Sequence, residues 1–284
     1  MEMAWVVCKE TTLDNILAYI HLKNTFSPPL SYYVANFFWL RYNNGMRKRL
    51  DVVLTEKGLY QSREKAKQAI EMQRVKVGGR VETKPSTLVE QTDMFEVLPF
   101  EFVSRGGFKL QKAIEDFKIN LDGKVVLDIG ASTGGFSDVC LQNGAKKIYA
   151  VDTGEGQLVD KIKNDKRVFN FEKTNYLTFD KANFSDVNFV VIDVSFVSLT
   201  KLVPKLASDF EHVEIVALIK PQFEVGAEYA RKHKGVVKDP KIHEKIIEKI
   251  KNNFENYNFN CKNITKSPIT GGDGNIEFLI YLKK

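Results

Sequence analysis

Val125-Val126-Leu127-Asp128-Ile129-Gly130-Ala131-Ser132-Thr133-Gly134-Gly135-Phe136 decides how this chain is read. A short, mostly apolar run is followed by glycines at 130, 134 and 135, the pattern of a buried strand that turns sharply into a helix. Glycine in such a turn lets backbone approach a ligand closely, and the helix N-terminus that follows favours anionic groups. A dinucleotide-binding loop sets its first glycine directly after the strand, as G-x-G-x-x-G. Here Asp128 sits at the strand end and the glycines run G-x-x-x-G-G. The next strand ends at Asp152, 22 residues beyond Gly130 (152 − 130), where a carboxylate can hold both hydroxyls of a ribose.

From residue 104 onward strands and helices alternate, which predicts a parallel sheet with crossover helices. The strands are expected at 124–129, 147–151, 167–171, 189–193 and 213–219. A helix is expected over 241–254, with Ile242, Ile246, Ile247, Ile250 and Phe254 on one stripe. Segments 259–264 and 276–282, around Gly271-Gly272-Asp273-Gly274, read as an antiparallel hairpin at the sheet edge. In a doubly wound sheet of order 3-2-1-4-5, Asp128, Asp193 and Lys220 stand at the carboxyl ends of neighbouring strands, where ligands bind. A lysine at the mouth of Ala217-Leu218-Ile219-Lys220-Pro221 needs a partner, and Asp193 is the candidate. Lys109, in Ser104-Arg105-Gly106-Gly107-Phe108-Lys109, and Glu277, expected to interrupt an apolar strand, complete a Lys–Asp–Lys–Glu set in chain order.

The 284 residues are 43% hydrophobic and 27% charged, which excludes a disordered chain and fits one large domain or two modest ones. Cys8, Cys140 and Cys261 lie too far apart for a disulfide framework or a zinc finger, so a reducing, cytoplasmic setting and no metal are expected. No apolar run reaches the roughly 18 residues of a membrane span, and charges interrupt the start where a signal peptide would need an apolar core. Residues 1–45, rich in aromatics from Tyr32 to Tyr42, form an atypical extension. It is either a piece that packs on the rest or, the favoured reading, sequence upstream of a natural start at Met46. Residues 46–103 read as a small basic unit and linker. Leu50, Val53 and Leu54 predict a helix ended by Gly58, Ser62 caps a second helix, and Val75–Val81 turns at Gly78-Gly79. Between 47 and 84 eleven Lys/Arg face five Asp/Glu, a surplus of +6 equal to the net charge of the whole chain. Arg47, Lys48, Arg49, Arg63, Lys65, Lys67, Arg74 and Lys76 are therefore expected to meet phosphates, joined by Arg105 at the start of the next domain, 104–284.

The pattern D-x-G-x-x-x-G resembles that of class I methyltransferases, which bind S-adenosylmethionine. More specifically, residues 46–284 resemble the TlyA family, whose members are described as haemolysins or as ribosomal RNA 2′-O-methyltransferases, within the FtsJ-like group. The resemblance rests on M-R-K-R-L-D, S-R-G-G-F-K-L, L-D-I-G-A-S-T-G-G-F-S, V-D-T-G-x-G-Q-L, E-K-T-N, I-D-V-S-F-V-S-L and L-I-K-P-Q-F-E, in that order. It implies an α/β, Rossmann-like class I methyltransferase with a mixed seven-stranded sheet, preceded by a small α+β RNA-binding domain of ribosomal-protein type. It implies Lys109, Asp193, Lys220 and Glu277 as a catalytic tetrad. Asp128, Gly130, Ser132, Thr133, Gly134, Gly135, Phe136, Asp152 and Asp193 would hold S-adenosylmethionine. The implied substrate is a cytidine 2′-hydroxyl, and the implied partner is ribosomal RNA or a ribosomal subunit, with no membrane and no metal. Amino-group methylation fits less well, since its (Asp/Asn)-Pro-Pro-aromatic loop is replaced by Asp193-Val194-Ser195-Phe196. Cytosine-carbon methylation needs a nucleophilic cysteine at this mouth, and none of the three is there. The alternatives are a non-enzymatic RNA-binding protein on the same fold, which would need a broken loop or tetrad, and a membrane-active haemolysin, for which only residues 30–42 come close.

Overall fold

The computed structural model describes residues 6–8, 47–98, 101–226, 229, 231, 233 and 235–284, and the chain divides into two units, Met1–Phe100 and Glu101–Lys284. Of the expected extension, only β1 (Val6–Cys8) is described; Met46 and the stretch 30–42 lie outside the described residues.

In the first unit β2 (Lys48–Arg49) leads into α1 (Leu50–Glu56), and α2 (Arg63–Glu71) follows. Leu50, Val53 and Leu54 are fully buried against Ala66, Ala69 and Ile70, which lie on the matching stripe of α2. The Ser62 hydroxyl accepts from the Lys65 amide at 3.3 Å and fixes the start of α2. β3 (Val75–Val77) turns into β4 (Arg80–Val81) through Gly78 and Gly79, both at positive φ as a two-residue hairpin turn requires. β5 (Leu88–Val89) pairs with β2, and β6 (Phe95–Val97) lies between β1 and β3 in a sheet of order β1-β6-β3-β4.

The second unit opens with α3 (Gly106–Phe117), then β7 (Val125–Ile129), α4 (Gly135–Gln142), β8 (Lys147–Val151), α5 (Asp160–Lys163) and β9 (Val168–Phe171). It continues with β10 (Phe189–Ile192), α6 (Val203–Asp209), β11 (Glu214–Ile219), α7 (Pro221–Glu224), α8 (Pro240–Glu255), β12 (Asn260–Lys266) and β13 (Phe278–Lys283). Seven strands lie in the order β12-β13-β11-β10-β7-β8-β9, all parallel from β11 to β9, with β13 antiparallel to both its neighbours. The run Phe189–Ile192 is wholly buried and so is Ile215–Ile219, so neither face of the sheet can meet water and each must be covered. Ile246, Ile250 and Phe254 of α8, with Val203 and Leu206 of α6, cover one face through Val190, Ile192 and Ile215. Leu110 and Ala113 of α3, with Val139 and Cys140 of α4, cover the other through Val126, Val191 and Val216. One expectation changes. β13 begins at Phe278, so Glu277 stands just before the strand rather than within it, where its carboxylate turns inward to Lys109. Among the described residues no helix is long and apolar enough to cross a membrane.

Candidate active site

The β7 turn is built by three backbones in the left-handed region, Gly130 at φ +87°, Ser132 at +46° and Gly134 at +91°. At Gly130 the requirement is also steric: a Cβ there would stand 2.6 Å from the Asp193 carbonyl oxygen, so β7 and β10 could not come together at their ends. The freed Ser132 amide donates to Asp152 Oδ2 at 2.8 Å, and the Gly154 amide donates to Oδ1 at 2.7 Å. Asp152 is thereby fixed, and each carboxylate oxygen keeps a further acceptor position. A cleft of ≈ 440 Å³ opens here, with Gly130 and Ser132 on one wall, Asp152 and Gln157 on the next, Thr174 and Asn175 after β9, and Asp193 to Val197 after β10. It lies outside the carboxyl ends of the parallel strands, as the topology dictates.

Not every expected cofactor residue is on the cleft wall. Thr133, Gly134, Gly135 and Phe136 stand behind it. Gly134 packs against Leu158, where a Cβ would come within 2.8 Å; Gly135 packs against the Ser104 side chain; and Phe136 is buried. Asp128 also lies beneath the wall, fully buried, accepting the Ser137 hydroxyl at 2.6 Å. Burial, helped by the nearby Asp193 and Asp152 carboxylates and opposed by the Ser137 hydrogen bond, pushes the Asp128 carboxyl up to about 7.

The four charged residues of the Lys–Asp–Lys–Glu set come together as two ion pairs. Lys109 Nζ meets Glu277 Oε2 at 2.5 Å with both side chains nearly sealed, 8% and 2% exposed. Lys220 Nζ meets Asp193 Oδ1 at 2.6 Å, with 11% and 20% exposed. Close glycine contacts bring these groups into one place. A Cβ on Gly106 would lie 3.9 Å from Asp193 Oδ2, and Lys109 follows one helical turn later on the same face of α3. Gly107 fits beneath the Phe102 ring, where a Cβ would stand at 2.5 Å. On the far side a Cβ on Gly271 would be 2.6 Å from Glu277 Oε1, and one on Gly272 would be 3.2 Å from the Arg105 guanidinium.

Sequence reading missed three residues of this site. Ser195 Oγ accepts from Lys220 Nζ at 2.9 Å. Phe196, at φ +63° and 91% exposed, sits at the cleft with its ring 5.1 Å from that of Phe223. Glu224, buried, accepts the Ser198 hydroxyl at 2.5 Å and the Leu199 amide at 2.7 Å, and so pins the base of the loop that carries Ser195 and Phe196. The motifs V-S-F-V-S-L and K-P-Q-F-E were visible; their roles depend on contacts between loops.

The basic unit is less free than its composition suggests. Glu90, Asp93 and Glu96 follow the basic window, and with them the surplus over 47–98 falls from +6 to +3. Arg47 pairs with Glu90, Lys48 with Glu56 and Lys76 with Glu96. Arg49 and Arg63 share Asp51, at 3.0 Å each. Burial of Asp51 works to raise its carboxyl, but the two guanidinium groups outweigh it and hold the carboxyl below the usual range. Arg74, expected to face phosphate, is instead buried, because it leads directly into β3 beside the core residue Val75. Lys65 is half-buried, while Lys67 is exposed and forms no ion pair among the described residues. Arg105 belongs to the other unit, over Gly272.

A sheet of this order, with a glycine turn and a downstream carboxylate at its switch point, is the framework of a class I methyltransferase. Comparison with known families agrees: the FtsJ-like methyltransferase model matches residues 102–284, and the S4 domain model matches 48–95. The chain belongs to the FtsJ-like methyltransferase family, in the TlyA group that its motifs resemble. It is 44% identical over 241 residues to the YqxC protein of Bacillus subtilis, covering 83% of this chain and 85% of that one. It is 36% identical over 242 residues to the 16S/23S rRNA (cytidine-2′-O)-methyltransferase TlyA of Mycobacterium tuberculosis, covering 84% and 90%. A solved structure from Streptococcus thermophilus that bears the name hemolysin is similar at TM-score 0.65 and 40% identity, covering 84% and 89%.

Proposed function

We propose that this chain transfers a methyl group from S-adenosylmethionine to the 2′-hydroxyl of a cytidine in ribosomal RNA, working in the cytoplasm on the RNA or on a ribosomal subunit. The observation that carries the proposal is the pair of lysine–carboxylate contacts, Lys109–Glu277 and Lys220–Asp193, of which Asp193 lines the glycine-turn cleft. The substrate identity is supported by the name of the Mycobacterium tuberculosis relative. The cleft fits the methyl donor, since its ≈ 440 Å³ falls within the range of small-molecule sites and Asp152 on its wall keeps a further acceptor position on each oxygen. Asp152, Ser132 and the backbone of Gly130 would hold it. S-adenosylmethionine supplies an electrophilic methyl group on a sulfonium.

The rest falls to the chain's own side chains. A ribose hydroxyl is a poor nucleophile, so the site must orient it and help remove its proton. Lys220 would take on that task, with Asp193 beside its amine at 2.6 Å. Lys109 and Glu277, locked to each other, would hold the hydroxyl and the nucleotide from the opposite side. The exposed ring of Phe196 offers a face on which a base out of its stack can lie. Arg105, with Arg49, Arg63 and Lys67 of the S4 domain, would meet the RNA backbone. Incubation of the purified chain with labelled methyl donor and ribosomal RNA from cells lacking its gene, followed by mapping of 2′-O-methyl sites, tests the proposal. Lys220→Ala is expected to lower kcat by about 10²–10⁴, the usual contribution of a general base, with donor affinity by calorimetry nearly unchanged. Lys220→Arg keeps the charge but not the base, and is expected to be as inactive. Full methyl transfer by Lys220→Ala would overturn the assignment.

A further inference from the structure

The geometry points to Ser195 as a positioning residue that aims the Lys220 amine. This inference rests on the reading of Lys220 as the group that takes the hydroxyl proton. The Lys220 nitrogen is tetrahedral, with one corner bonded to its own side chain. Ser195 Oγ at 2.9 Å accepts at one of the remaining corners, whereas Asp193 Oδ1 at 2.6 Å is an ion-pair contact without hydrogen-bond geometry. A neutral amine has two N–H bonds and one lone pair. With Asp193 alone beside it, the amine has a counter-charge but no acceptor to fix its rotation about the Cε–Nζ bond. With Ser195 accepting one N–H, that rotation is fixed and the lone pair is confined to the other two corners.

The same two groups serve after proton transfer. The O–H bond of the substrate hydroxyl breaks, its electron pair stays on the oxygen, and the proton forms a third N–H bond at a corner that Ser195 leaves free. The N–H bond to Ser195 does not move and the new ammonium forms beside the Asp193 carboxylate, so the transfer costs little reorganisation of the surrounding dipoles. Ser195 is also well placed to be specific to this task. It is exposed, and it stands on the wall of the cleft between Val194 and Phe196. The loop bearing it is fixed from below by Glu224 through Ser198 and Leu199. Its hydroxyl is therefore held by the fold rather than by its own contact with Lys220.

The test is steady-state kinetics of the full chain on ribosomal RNA with Ser195→Ala, Ser195→Thr and Lys220→Ala side by side. Ser195→Ala is expected to lower kcat about tenfold, the worth of one lost hydrogen bond in the transition state. KM for RNA and for the methyl donor should stay within about twofold, since the contact acts through Lys220 and not on ground-state binding. Ser195→Thr keeps the hydroxyl and should restore most of kcat. Wild-type kcat in Ser195→Ala, or a low kcat that threonine does not restore, would overturn the role of Ser195. If Lys220→Ala is inactive while Ser195→Ala is not slowed, only this inference fails. If Lys220→Ala is fully active, the reading beneath it fails as well.

Discussion

Arg49 and Arg63 of the S4 domain meet Asp51 at 3.0 Å each with their guanidinium groups roughly half in water, 46% and 59% exposed. Lys109 and Glu277 of the methyltransferase unit meet at 2.5 Å with almost no exposure. Both contacts join a base to an acid, yet the surroundings give them different work. Asp51 itself is only 5% exposed, but its two guanidinium partners keep about half their hydration, so either can turn to a phosphate while the other holds the carboxylate. A sealed pair has lost its hydration on both sides, so removal of either member strands a charge in a place that cannot solvate it. The S4 domain leaves its guanidinium groups partly hydrated; the methyltransferase unit locks its charges to fix atoms in place.

The sharpest way to break that comparison is to neutralise one acid in each region. Glu277→Gln leaves Lys109 buried without its counter-charge and should destabilise the chain by about 3–5 kcal/mol. Glu90→Gln, which frees exposed Arg47, should cost less than about 1 kcal/mol. Urea unfolding of the full chain reads both, and equal costs would undo the contrast.

A smaller effect tests a buried carboxyl that has no basic partner among the described residues. Asp128 has its folded value raised to about 7, so the folded state binds this proton more tightly than the unfolded chain does. The stability from that proton is complete below the ordinary carboxyl value near 4 and is lost as pH rises through 7. Asparagine mimics the protonated form and can still accept from Ser137. Asp128→Asn should therefore gain on the parent chain as pH goes from 4 to 8, by about 2–4 kcal/mol at 1.36 kcal/mol per unit. A pH-independent difference between the two would show that Asp128 ionises normally.

The smallest effect lies in the S4 domain. Lys67→Gln should reduce the salt slope of RNA binding by about one unit without changing the unfolding midpoint. Arg63→Gln should do both, because Arg63 also braces Asp51. Filter binding over a salt series, with thermal unfolding alongside, separates them; an unchanged slope in both variants would place the phosphate footprint elsewhere.

How much of this was legible depends on whether the signal was local. The turn at Gly130 and the strand ends at Asp152, Asp193 and Lys220 follow from apolar runs and glycine spacing, and sheet topology then brings the Lys–Asp pair together. The Lys109–Glu277 pair spans 168 residues, and the sequence gathered its members into one set by chain order alone, with no local signal that they touch. Ser195 and Glu224 were hidden because a serine or glutamate in a loop carries no periodicity, and their work depends on which loop lies opposite. The charge of the S4 domain was misjudged for a similar reason. Its basic residues all fall between 47 and 84, whereas Glu90 and Glu96 arrive later in the chain and fold back onto Arg47 and Lys76.

The placing of β13 between β11 and β12 bears on how the chain reaches its fold. β12 follows β11 in sequence but does not pair with it. The backbone edge of β11, with its apolar run Ile215–Ile219, therefore stays open until residues 278–283 arrive, 59 to 69 positions later (278 − 219 and 283 − 214). Closing so distant a pairing is slow, since the loop must be brought together before its contacts reward it. Meanwhile a naked apolar edge is the kind of surface that pairs with the wrong chain. Refolding at high protein concentration should lose material to aggregates at this step, and a charged residue introduced on exposed β12 would not protect it, because the vulnerable edge is the one that ends up inside.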